Sequence, residues 1–101
     1  MITEYDKPET WNWTALCEPH DINAVIINDD DWEGLYVGGK LRYEHHHVRI
    51  MDLNDAYSTM GVAMLTLPIY TAYVDGIATS SGGMPDTLAE VSEWLIEAGS
   101  L

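Results

Sequence analysis

Apolar positions along the chain fall into short segments with two different periods. Ala24-Val25-Ile26-Ile27 is a β-branched apolar run bounded by Asn23 and Asn28, which predicts a strand covered on both faces. Asn28 to Asp31 then reads as a turn. A second run begins at Trp32 and a third follows Lys40, with Gly38-Gly39 between them. A two-residue glycine loop suits the primed turns that match strand twist, so these runs predict a hairpin. Its register pairs Val37 with Lys40, Tyr36 with Leu41, Leu35 with Arg42 and Gly34 with Tyr43. One face then carries Trp32, Tyr36, Leu41, Tyr43 and His45 and is expected to form the core. The other carries Glu33, Leu35, Val37, Lys40, Arg42 and Glu44 and is expected to be partly wet.

Beyond the hairpin the period changes to that of a helix. Leu53, Ala56, Tyr57 and Met60 recur on one helical face, with Asp52 as the expected N-cap and Asp55 in the first turn. Gly61 can end this helix, or Val62-Ala63-Met64-Leu65 can extend it. Leu67 to Val74 is rich in strand formers, Pro68 suits a strand start or edge, and Asp75-Gly76 closes the segment. Thr79-Ser80-Ser81-Gly82-Gly83 reads as a flexible loop. Leu88, Val91, Leu95 and Ala98, widened by Trp94, predict a terminal helix with Pro85 at its start, Asp86 in its first turn and Gly99 as its C-cap. The first 22 residues are ambiguous. Pro8-Glu9-Thr10 can open a short helix, whereas Trp11-Asn12-Trp13-Thr14 alternates like a strand, and Pro19 ends either one.

These elements predict an α+β fold in a single domain, residues 1–101. The expected sheet is small and mostly antiparallel, with three to four strands around the central Gly38-Gly39 hairpin and two to three helices packed on one face. A chain of this length buries a core without a metal or disulfide staple. No apolar run approaches the roughly 20 residues of a membrane helix. The N-terminus lacks signal-peptide character, and Cys17 has no disulfide partner, so a cytoplasmic location is expected.

Charge changes the picture most. Seventeen acidic residues against four basic ones give a net charge of −13. Nucleic acid and anionic membranes are excluded as direct partners by repulsion, and a basic protein, above all one that binds nucleic acid, becomes the expected partner. Acidity also favours solubility alone. The acids concentrate in two places. Asp29, Asp30, Asp31 and Glu33 form a knot before the hairpin, and Glu90, Glu93 and Glu97 share the outer face of the last helix with no base nearby. These seven residues are the candidate partner-binding set.

Metal and catalytic signals are weak by comparison. From Asp29 the order of acids and Gly34 resembles the start of a calcium loop, but Lys40 stands where a bidentate acid is needed. His45 and His47 would share a strand face and are the candidate metal ligands, with Glu44, Asp52, His20 or Cys17 as conceivable additions. No fourth ligand has the spacing of a zinc motif, and no cofactor is expected. There is no phosphate loop, nucleophile elbow or His-Glu-x-x-His. Cys17 and His20 could meet only on a helix that Pro19 opposes. The chain therefore reads as a non-enzyme.

The segment Asp31-Trp32-Glu33-Gly34-Leu35-Tyr36-Val37-Gly38-Gly39-Lys40-Leu41, followed by Glu44, His46 and Asp52, resembles a pattern in small uncharacterised acidic proteins of phages and prokaryotes. It covers about a quarter of the chain. The resemblance implies no established activity. It points by class to a phage accessory protein, a group similar in size and acidity to inhibitors of host nucleases and CRISPR complexes. Read together, these features suggest an acidic, non-enzymatic binding module, a phage-type inhibitor that blocks a basic nucleic-acid-handling protein by mimicking nucleic acid. A metal- or ligand-binding protein centred on His45–His47 is the alternative. A homo-oligomeric accessory subunit, pairing through the hairpin edge, is another.

Overall fold

The structure, a computed structural model, describes residues 7–18, 23–59, 69–99 and 101. It is an α+β fold built on a four-stranded, mostly antiparallel sheet. The strands are β1 (Ala24–Asp29), β2 (Trp32–Val37), β3 (Lys40–His45) and β4 (Ile69–Tyr73), in the order β3-β2-β1-β4. β1 pairs antiparallel with β2 and parallel with β4, while β2 pairs antiparallel with β3. The helices are α1 (Trp13–Leu16), α2 (Ile50–Thr59), α3 (Ile77–Ser81) and α4 (Leu88–Glu97). Among the described residues no helix is long and apolar enough to cross a membrane.

β1 is central, and all its residues are buried, as its unbroken apolar run predicts. It also runs two residues further than its apolar run, so Asn28 and Asp29 are strand residues and only Asp30-Asp31 turn the chain. The Gly38-Gly39 turn has positive φ at both central residues, the type I′ pattern. At Gly39 this backbone is compulsory twice over, because a Cβ there would lie 2.5 Å from the Cys17 carbonyl oxygen.

The hairpin register follows the expected pairs at Val37–Lys40 and Tyr36–Leu41, then shifts. An irregularity between Leu35 and Tyr36 makes Leu35 face Tyr43, Gly34 face Glu44 and Glu33 face His45. The extra residue is Arg42, whose Nε donates to the Val37 carbonyl at 3.2 Å. A bulge moves every later side chain to the opposite face. Tyr43 and His45 therefore leave the Tyr36 face, and Glu44 joins it.

Both faces of β2 are buried, which corrects two expectations. Tyr36 packs with Val25, Ile27, Ala72, Val74, Ile77, Leu88, Val91 and Leu95 on one side of the sheet. Leu35 and Val37 pack with Ala24, Ile26 and Leu53 on the other, beside Val48 and Ala56. The second hairpin face is thus dry at β2, and the helices do not share one face: α2 covers the side opposite α4. The physical reason is the contiguous apolar Leu35-Tyr36-Val37, which needs cover above and below.

Helix boundaries are set by local chemistry. The early segment is helical, with a 3₁₀ turn at Pro8–Thr10 and α1 capped by the Asn12 side chain, which accepts from the Ala15 N–H at 3.2 Å. Trp11 packs edge-on against Tyr70 of β4 at 5.6 Å, tying this segment to the sheet. α2 begins before Asp52, which lies in its first turn and accepts the Arg49 N–H at 2.7 Å. Met60, Gly61 and the Val62–Leu65 extension lie outside the described residues. α4 starts after Pro85: Thr87 is its N-cap and accepts from the Glu90 N–H at 3.2 Å, half of a capping box. Gly99, at positive φ, follows its last turn.

The expected loop at 79–83 is instead largely helix, because α3 spans Ile77–Ser81. Its N-cap is Gly76 at positive φ, and Ile77 is fully buried. A buried residue from β1 completes the cap, as described next.

Candidate functional site

Of the four knot acids, two face inward. Asp29 is 5% exposed, and its carboxylate accepts the N–H groups of Gly76 at 2.9 Å, Ala78 at 2.8 Å and Thr79 at 3.3 Å. These are donors at the α3 N-terminus, which a helix cannot satisfy itself and whose dipole favours an anion. Glu33 is 9% exposed and accepts the Val48 N–H at 2.8 Å and the Asn28 side-chain amide at 3.1 Å. It pins the link from β3 to α2 against the sheet. Both carboxylates serve the fold and cannot also meet a partner. Asp30 and Asp31 are exposed on the turn, with Asp30 at φ 59°.

His45 and His46 pack against Trp32 rather than around a shared ligand position. β3 ends at His45, so His47 does not continue its strand face. The His46 ring lies edge-on to Trp32 at 5.1 Å and to His45 at 5.4 Å. Its Nδ1 is 3.1 Å from the Asp31 carbonyl oxygen and 3.8 Å from the carboxylate. His45 lies 6.1 Å from both Trp32 and Tyr43. Trp32 Nε1 is buried, with no acceptor among the described residues. Among the described residues no three His, Cys, Asp or Glu side chains come together to hold a metal ion. The proposed pair His45 and His47 gains no third ligand there, and His20 lies outside the described residues. Cys17 is half-buried at the end of α1, and burial, then Glu18, raises its thiol pKa. A thiol held protonated is a poor nucleophile.

The second acid set is brought together. Glu90, Glu93 and Glu97 are all exposed on α4, and their spacing of three and four residues puts them on one helical face with Trp94. This face borders a shallow groove of about 370 Å³, whose other wall is Met84, Pro85 and Asp86. The groove exists because the hairpin holds that wall. The Tyr36 hydroxyl donates to the Pro85 carbonyl at 2.6 Å, the Leu41 N–H to Asp86 O at 2.8 Å and the Leu88 N–H to Gly39 O at 2.8 Å. Burial, followed by Glu44, Glu90 and Asp86, pushes the Tyr36 phenol pKa well above its ordinary value. Tyr36 therefore stays a neutral donor under the acid rim. Among the described residues no Lys or Arg comes within ion-pair distance of Asp86, Glu90, Glu93 or Glu97.

No family model, curated protein or solved structure matches this chain.

The groove wall was invisible in the sequence. Met84 and Pro85 carry no motif, and their place depends on hydrogen bonds to a hairpin more than 40 residues earlier. Trp94 was visible as part of an apolar stripe. That it also lines the groove follows from its position between Glu93 and Glu97 on the edge of that stripe.

Proposed function

We propose that the protein is a non-enzymatic, cytoplasmic binding module that occupies the Lys/Arg surface of a nucleic-acid-handling protein, as a phage-type inhibitor does. The observation that carries this reading is the group of Glu90, Glu93 and Glu97 on one face of α4 with Asp86 in the facing groove wall, with no described cation within ion-pair distance. Like charges left so close repel one another, and a basic partner relieves that repulsion while gaining long-range attraction. Asp30 and Asp31 add exposed charge at the β1–β2 turn, whereas Asp29 and Glu33 contribute only to the general field.

The test is affinity capture followed by competition. The immobilised protein is challenged with nuclease-treated host lysate at low and at physiological salt. A basic nucleic-acid-binding protein should be retained, eluted by duplex DNA or RNA, and lost when Glu90, Glu93 and Glu97 are all changed to Gln. Recovery of no such protein at either salt concentration would refute the reading.

A further inference from the structure

We draw no further inference here: the strongest candidate, the sheet edge along Arg42–His45 of β3, is cut short by the bond from the Leu41 N–H to the Asp86 carbonyl, and nothing in the structure shows what covers the rest of it.

Discussion

Replacing Asp29 by alanine removes an anion that holds a distant helix. The carboxylate accepts three N–H groups from residues 76, 78 and 79, and at 5% exposure water cannot replace it without opening the structure. A hydrogen bond to a charged group contributes roughly 1.5–3 kcal/mol, but the three share one acceptor group and removing the ion also removes its desolvation cost. The net loss for Asp29→Ala should be about 3 kcal/mol, a large part of the roughly 5–15 kcal/mol that stabilises a domain of this kind. Asp29→Asn keeps one acceptor oxygen without the charge and should lose about 1.5 kcal/mol. Urea unfolding reads both: with a slope near 1.5 kcal/mol/M, the alanine midpoint should fall by about 2 M and the asparagine midpoint by about 1 M. Asp30→Asn is the control, because that side chain is exposed and asparagine tolerates the positive φ at the site. Amide exchange at Ser80 and Gly83, whose N–H groups bond to Gly76 and Ala78, tests whether α3 melts first. An unchanged midpoint together with unchanged exchange at those amides in Asp29→Ala would show that the cap does not hold α3.

Two further perturbations probe the hairpin and the groove wall it supports. Gly39→Ala forces a Cβ to 2.5 Å from the Cys17 carbonyl oxygen at φ 74°, and should cost more than the roughly 1–2 kcal/mol of left-handed strain alone; Gly82→Ala, with open space around it, should show only that strain in thermal unfolding. Tyr36→Phe removes the 2.6 Å bond to Pro85 and should cost about 1–2 kcal/mol at neutral pH, read by urea midpoint. Burial raises the Tyr36 pKa, so the unfolded chain loses this proton first. Its stability is fully present below about pH 10 and falls as pH rises beyond it, a slope that Tyr36→Phe should reduce and that an unaltered alkaline profile in the variant would contradict.

Much of the fold was legible because local pattern and tertiary role agreed. The β-branched run at Ala24–Ile27, the glycine pair and the apolar stripe of Leu88, Val91 and Leu95 each specify an element without help from afar. Misreadings occurred where a distant partner decides. Thr79-Ser80-Ser81 has loop composition, and it is helical because Asp29, 50 residues earlier than Thr79, caps it. Asp29 looks like a solvated turn residue until β1 is extended to bury it, and Glu33 lies on a hairpin face expected to be partly wet that is instead covered. The bulge at Arg42 has no glycine to announce it, yet it decides which face Tyr43 and His45 occupy. The cover on both sides of β2 could have been inferred, since Leu35-Tyr36-Val37 has no polar position in it. For the candidate site, helical spacing exposed the glutamates but not the wall opposite them.

The parallel pairing of β1 with β4 sets an order of assembly. β1, β2 and β3 are joined by two-residue turns and can zip together from neighbouring sequence. β4 must return from some 40 residues away to lie beside β1, and α3 can be capped only once it has done so. Long-range closures come late and open early. The molecule therefore divides kinetically into an early meander and a late edge, with Asp29 as the latch between them. Under mild destabilisation β4 and α3 should release as a unit and bare one side of the central strand before the hairpin yields.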